Sequence, residues 1–183
     1  MQQRTNEWYT ARVGKITASR IKDLNAKPQK GKALNATLTR LLSERLTGQA
    51  VSTFTTSEMA WGIECEPLAR QAYELATFCT VVETGLIDHP TIAMSGANSD
   101  THTNTLLTGQ VPSEYLPQIA WQLACTGRNW CDFVSFDPRM PASLQLKIIR
   151  VNRSDVDIET LERDVMRANE ILEREQKKLF DKG

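Results

Sequence analysis

The sequence predicts an α/β protein, or its close relative α+β, with a central sheet flanked by helices. Two observations carry this. Helical and strand periodicities follow one another in the order αααα, ββ, α, ββ, α. Leucine-rich stripes at helical spacing alternate with short β-branched runs of period two. The length, 183 residues, suits one domain spanning 1–183 with a sizeable core. Hydrophobic residues at 40% and charged residues at 24% are ordinary for a soluble globular chain. No repeat, low-complexity stretch or linker divides it.

Asn6 to Leu24 reads as a helix, a tight turn at Gly14 and a second helix, with Thr17 or Ser19 offering an N-cap. Lys27-Pro28-Gln29-Lys30-Gly31-Lys32 is a basic loop. Leu34 to Thr47 is a helix: Leu34, Leu38, Leu41, Leu42 and Leu46 form one stripe, and Gly48 ends it. Thr55 and Glu58 have capping-box spacing for a helix over Met59 to Thr77. Pro67 lies inside it, so a kink or two abutting helices are expected. Cys79–Glu83 and Leu86–Met94 read as a hairpin around Thr84-Gly85. Ser113 to Cys125 is helical and stops at Gly127. Trp130–Phe136 and Leu144–Val151 are strands joined through Asp137-Pro138-Arg139-Met140-Pro141. Asp157 to Phe180 is a long helix with Ile158, Leu161, Val165, Ala168, Leu172 and Leu179 inward. Four short strands make a thin sheet for this length, which points to a missing one.

No apolar run approaches the roughly 20 residues a membrane span needs. The opening Met1-Gln2-Gln3-Arg4 is not a secretory signal. Cys65, Cys79, Cys125 and Cys131 form no Cys-x-x-Cys pair, and His89 and His102 are not at ligand spacing to them. Neither a zinc site nor a disulfide framework is expected; these are reduced thiols of a cytoplasmic protein, mostly filling core. Net charge is zero but segregated. Residues 1–50 hold ten Lys/Arg against three Asp/Glu, a net +7, and the remainder carries −7. A basic third is either a phosphate-facing surface or a solvated face paired with the acidic remainder.

Two carboxylate positions stand out. Glu64 and Glu66 lie in Trp61-Gly62-Ile63-Glu64-Cys65-Glu66-Pro67, and Glu66 precedes the proline, where a kink can aim a side chain into a cleft. Asp100 follows the apolar run Thr91-Ile92-Ala93-Met94, and the ends of strands are where open α/β sheets bind ligands. A solvated glutamate and an Asx-turn aspartate are the plainer alternatives. Metal-dependent phosphodiester cleavage needs hard oxygen ligands converging on Mg²⁺ and a cation beside the attacking water. On a strand, Glu-x-Lys puts both on one face. Glu175-Gln176-Lys177 has that spelling but lies on a helix, where i and i+2 diverge. Gln145-Leu146-Lys147, with Asp137 upstream, is a weak match, and a plain edge strand accounts for it more simply.

Four ordered motifs give the chain a family resemblance. Arg4 to Arg20, with Trp8, Arg12, Gly14, Ile16, Thr17, Ala18 and Ser19, resembles the opening of the lambda-type exonucleases, the YqaJ viral recombinase family. Met59-Ala60-Trp61-Gly62-Ile63-Glu64-Cys65-Glu66-Pro67-Leu68-Ala69-Arg70 resembles its W-G-x-x-x-E-x-x-A-R segment. Tyr115-Leu116-Pro117-Gln118-Ile119 resembles its glutamine helix, and Phe136-Asp137-Pro138-Arg139-Met140 its D-P-R-M turn. The resemblance implies a restriction-endonuclease-like fold with a central mixed sheet and a PD-(D/E)xK core. It implies 5′→3′ digestion of linear double-stranded DNA with Mg²⁺ (or Mn²⁺), in the cytoplasm of a phage-bearing host. It also implies a ring-shaped homotrimer and a single-strand-annealing partner. By position, Asp100 and Glu66 become catalytic carboxylates on the metal, with Gln118 in a supporting role. Arg12 and Ser19 become holders of a DNA phosphate, which a guanidinium and a serine at a helix start both suit.

The sequence departs from the family in two places. After the motif aspartate the family continues with a turn and a strand carrying E-x-K. Here Asp100 runs straight into Thr101-His102-Thr103-Asn104-Thr105, so a segment about one β-hairpin long is absent from this sequence, either deleted from the protein or present in the molecule and left out of the sequence, and with it goes the expected catalytic strand. Where the family has Q-x-Q, this chain has Gln118-Ile119-Ala120, and Ala120 cannot bond a metal-bound water. One lost polar catalytic contact costs about 2.7–4 kcal/mol in the barrier, and losing a ligand and the lysine together costs more. The expectation is an impaired or inactive exonuclease. The alternatives are a catalytically dead scaffold that binds DNA ends or an annealing protein, and a domain only partly folded.

Overall fold

The computed structural model describes residues 5–51, 57–82, 86 and 102–181. Seven α-helices and two strands run through them: α1 Asn6–Ala11, α2 Ala18–Ile21, α3 Ala36–Thr47, α4 Ser57–Thr77, α5 His102–Thr108, α6 Leu116–Thr126, β1 Trp130–Phe136, β2 Leu146–Asn152 and α7 Ile158–Phe180. Short 3₁₀ turns lie at Ser113–Tyr115, Ala142–Leu144 and Arg153–Asp155.

The helix ends follow their sequence signals. Asn35 caps α3 by accepting from Leu38 N–H, and Gly48 closes it at φ +66°. The same Asn35 amide donates to the carbonyls of Asp23, Leu24 and Ala26, binding the loop that leads into the helix. Asp157 caps α7 through Thr160 N–H, and Gly127 ends α6 at φ +65°. Strands β1 and β2 pair antiparallel, from Trp130 opposite Asn152 to Phe136 opposite Leu146. Phe133 and Ser135, two residues apart, share the buried face.

The core lies between α2, α3, α6 and α7. Ile16, Leu41, Trp121, Val165 and Leu172 are wholly inaccessible. On α7 the buried set Ile158, Val165, Ala168 and Leu172 matches the expected stripe; Leu161 is half-buried and Leu179 is exposed. On α3, Leu38 and Leu41 are buried, while Leu46 at the stripe's end is exposed. Helices α4 and α5 pack on the two strands. Cys65 and Cys125 are buried and Cys79 exposed, all as free thiols. No helix among the described residues is long and apolar enough to cross a membrane.

Four expectations need correction. Two abutting helices around Pro67 are not found, because α4 runs through it as one element. Tyr73 beyond the proline is tied to β1, and Cys65 before it is buried. Residues 79–82 form no strand: α4 ends at Phe78 in the left-handed region, φ +57°, and Val81 N–H is taken by Glu74 Oε1 at 2.7 Å. Thr55, Asp100 and the rest of the expected hairpin, apart from Leu86, lie outside the described residues. The strand expected from Leu144 begins at Leu146. Helix α5 was not expected, because His-Thr-Asn-Thr carries turn chemistry and no apolar period.

Candidate functional site

The turn after α1 gathers the basic residues of the opening motif. Arg12 ends α1, and its guanidinium lies 4.1 Å from the centroid of the Trp8 ring. Its Nη2 donates to Thr17 Oγ1 at 3.4 Å, and Thr17 Oγ1 shares a 3.2 Å hydrogen bond with Ser19 Oγ. Thr17 is the N-cap residue of α2, yet its hydroxyl caps no backbone N–H. It is fully buried and links Arg12 to the exposed Ser19. The two residues expected to hold phosphate are therefore brought to one place.

Two consecutive residues of α3 grip that turn. Gly14 N–H donates to Glu44 Oε2 at 3.0 Å, and Arg45 Nε donates to Gly14 C=O at 3.0 Å. The fit demands glycine, since φ is +67° and a Cβ would lie 2.7 Å from Arg45 Cγ. Arg20 meets Glu44 in a fork of two 2.8 Å bonds and also donates to Lys15 C=O at 3.3 Å. Arg45 continues to Asn169 Oδ1 on α7 at 2.6 Å.

The electrostatics follow from this packing. Burial pushes the Glu44 carboxyl up, but the Arg20 fork and the N–H groups of Gly14 and Val51 outweigh it, so it lies below its usual range. Burial and then Arg20 push Arg12 down to about 10, so it is cationic at neutral pH. Among the described residues no carboxylate is ion-paired to Arg12, whereas Arg20 is neutralised by Glu44.

The other candidates sit around the sheet. Glu66 is half-buried on α4, and Glu64 is exposed. Gln118 is half-buried on α6, and its side chain makes no hydrogen bond among the described residues. Ala120 is buried in the core. Asp100 is outside the described residues. Nearby carboxylates are already paired. Asp132 accepts two 2.8 Å bonds from Arg150 and one from Tyr73 Oη at 2.9 Å, and the Arg150 bonds above all hold it below the usual range. Asp137 is pulled down to about 2 by Arg139, which also lies 5.0 Å from the Trp61 ring centroid. Gln145 precedes β2 and its amide donates to Pro138 and Met140 carbonyls at 3.0 Å, so it is not a metal-facing partner for Lys147. Glu175 is paired with Lys178 and Arg174 on the surface of α7.

No group of three or more His, Cys, Asp or Glu among the described residues could hold a metal ion. The donor chemistry of Glu66 with Asp100 nevertheless suits Mg²⁺, which takes one or two carboxylates and completes its octahedron with water and substrate phosphate. A cavity of about 410 Å³ between the 24–38 segment and α7 is lined by none of Arg12, Ser19, Glu66 or Gln118.

Sequence reasoning missed Glu44, Arg45, Thr17 and His102. Glu44 had a signal: it lies three residues after Leu41, on the apolar face, where a carboxylate needs a buried partner. Thr17 stood in the motif as an N-cap. His102 gave none, though its ring bridges Ser135 Oγ at 2.8 Å and Leu144 C=O at 2.7 Å, fastening α5 to the sheet.

A helical layer over a small antiparallel sheet, with Arg12, Thr17 and Ser19 linked in its opening motif, defines the class as α/β. Residues 7–105 match the YqaJ-like viral recombinase domain, and the chain belongs to that family. Among solved structures it is similar to LHK-Exo in complex with dAMP, with 39% identity, 97% of each chain covered and a TM-score of 0.85. A second crystal structure, of an alkaline exonuclease (LHK-Exo) from Laribacter hongkongensis, superposes with a TM-score of 0.83 at the same identity and coverage. No curated protein matches the chain. The expected fold class and phage-type exonuclease lineage are both borne out.

Proposed function

We propose that this chain binds the 5′-phosphorylated ends of duplex DNA through Arg12 and Ser19. In this reading it is a phage-type 5′→3′ exonuclease whose hydrolytic step is weakened by the missing E-x-K strand. One observation carries the reading: Arg12 is a cation with no carboxylate partner among the described residues, hydrogen-bonded through Thr17 to Ser19, while the adjacent Arg20 is neutralised. A guanidinium and an exposed serine hydroxyl, held together by the buried Thr17, suit a terminal phosphate, which offers several acceptor oxygens. The relative crystallised with dAMP, a deoxynucleoside monophosphate, supports the same ligand class.

On the catalytic side, Glu66 and Asp100 would hold Mg²⁺ (or Mn²⁺), with Gln118 offering its amide beside them. The ion, when bound, supplies Lewis-acid polarisation of the phosphodiester and a more acidic water. The family's strand would add a third ligand and an amine to orient the nucleophile. Without it the chain keeps two carboxylates, and Ala120 removes a further polar contact. Phosphate binding is thus retained and turnover is lowered. The family resemblance extends the reading to a homotrimeric ring around DNA and an annealing partner, acting in the cytoplasm of a bacterial host.

The test uses linear duplexes bearing a 5′-phosphate or a 5′-hydroxyl. Binding is measured without divalent metal, and digestion with and without Mg²⁺, with Asp100→Ala as control. The expected result is preferential binding to phosphorylated ends, weakening with salt as counterions are released, and little digestion. Robust Mg²⁺-dependent digestion abolished by Asp100→Ala would overturn the impaired-turnover half. Equal binding to both ends would overturn the phosphate half.

A further inference from the structure

The Arg12 cluster does not hold its own shape. Its backbone is a left-handed turn at Gly14, and the group that fixes this turn from outside is a buried carboxylate on another helix. Glu44 is wholly inaccessible. It receives Gly14 N–H at 3.0 Å and the Arg20 fork at 2.8 Å twice, and Arg40 Nε approaches at 3.5 Å. Arg20 in turn donates to Lys15 C=O, so the peptide on either side of Gly14 is tied to one carboxylate. A buried carboxylate beside an anion-binding cluster is electrostatically adverse to anion binding unless a cation cancels it, and Arg20 does so.

We infer that Glu44 is a positioning residue for recognition of the 5′-phosphate: it fixes the Gly14 turn that carries Arg12 and withdraws Arg20 from the ligand. This rests on the proposed reading of Arg12 and Ser19. The consequence is selectivity. With Arg20 held by Glu44, a terminal phosphate meets one guanidinium and the exposed Ser19 hydroxyl, with buried Thr17 setting the geometry between them. With Arg20 released, the turn loosens and a second cation attracts any backbone phosphate.

The test is a cycle of Arg12→Ala and Glu44→Gln, read as the ratio of Kd for 5′-hydroxyl to 5′-phosphate duplex ends in the full chain without divalent metal. Arg12→Ala should lower this ratio roughly 10-fold or more, the scale of a charge-assisted contact. Glu44→Gln should remove most of the same ratio while affinity for 5′-hydroxyl ends holds within about 2-fold or rises. Adding Arg12→Ala to Glu44→Gln should then change the ratio by less than about 2-fold, because coupled residues are non-additive. Parallel loss of affinity for both ends would mean a merely structural role and would overturn the inference. So would an Arg12→Ala effect of equal size in both backgrounds. If Arg12→Ala alone leaves the ratio unchanged, the phosphate reading itself fails and this one falls with it. Should Glu44→Gln not melt cooperatively, Gly14→Ala attacks the same turn from the other side, where the added Cβ meets Arg45 Cγ, and is read by the same criteria.

Discussion

Two Arg–carboxylate forks in this molecule look alike and do different work. Arg20 meets Glu44 between α2 and α3, and Arg150 meets Asp132 across β1 and β2, each with paired 2.8 Å bonds. Both carboxylates are nearly buried, Glu44 at 1% and Asp132 at 6% exposed, but the arginines differ: Arg20 is 17% exposed and Arg150 53%. Water screens the second pair and is kept from the first. Glu44 also takes Gly14 N–H, whereas Asp132 takes only side-chain donors, Arg150 and Tyr73. The buried fork therefore shapes backbone, and the exposed one staples side chains of α4 and the sheet. The Arg12–Gly14–Ser19 turn is built around the former.

The sharpest way to break this contrast is by truncation. Glu44→Ala strands Arg20 and is expected to cost about 3–5 kcal/mol, as breaking a buried pair does. Asp132→Ala, with its largely solvated partner, is expected to cost no more than about 1 kcal/mol. Urea unfolding of the two variants side by side checks this, and equal losses would erase the distinction. Next in size is ligand binding. Arg12→Ala should weaken binding to 5′-phosphate ends by about 1.5–3 kcal/mol, measured by titration at fixed salt. Arg139→Ala, whose charge already serves Asp137, should shift it by less than about 0.5 kcal/mol.

A smaller contrast uses two glycines of nearly equal φ, Gly14 at +67° and Gly127 at +65°. Alanine at Gly127 meets open space and should cost about 1–2 kcal/mol of backbone strain. Alanine at Gly14 bears the same strain plus displacement of Arg45, and its Tm should fall further. The smallest effect is in pH. Glu44 has its folded pKa below the unfolded value, so its contribution is present above the ordinary glutamate value of about 4.3 and is lost as pH falls through the lower folded one. Stability measured from neutral pH downward should drop in acid, and Glu44→Gln should flatten part of that drop.

Much of the fold was legible because periodicity and caps agree. Strand Trp130–Phe136 has the bounds the alternation gives, α3 ends at the glycine that caps it, and α7 begins after the aspartate that caps it. Legibility failed where a long-range partner decides the structure. Residues 79–82 have strand composition, but Glu74 of α4 captures the Val81 N–H. His102 to Thr105 has turn composition, yet the His102 ring anchors it to Ser135 and Leu144 as the start of a helix. The site was half legible. Arg12 and Ser19 could be named from the motif, and Glu44's place on the apolar face marked it as needing a buried partner, but that the partner is the Gly14 turn, and that Thr17 links Arg12 to Ser19, depends on how the chain folds back on itself.

The grip on Gly14 also sets an order of assembly. Arg12, Gly14, Thr17, Ser19, Arg20, Glu44 and Arg45 all fall within residues 12–45, so the contacts among them close short loops. The 2.6 Å bond from Arg45 to Asn169 ties this cluster to α7 near the far end of the chain. Short loops close first, and chains are made from the N-terminus. The Arg12–Glu44 cluster can thus form while the ribosome is still synthesising the sheet, and docking of α7 then latches it from behind.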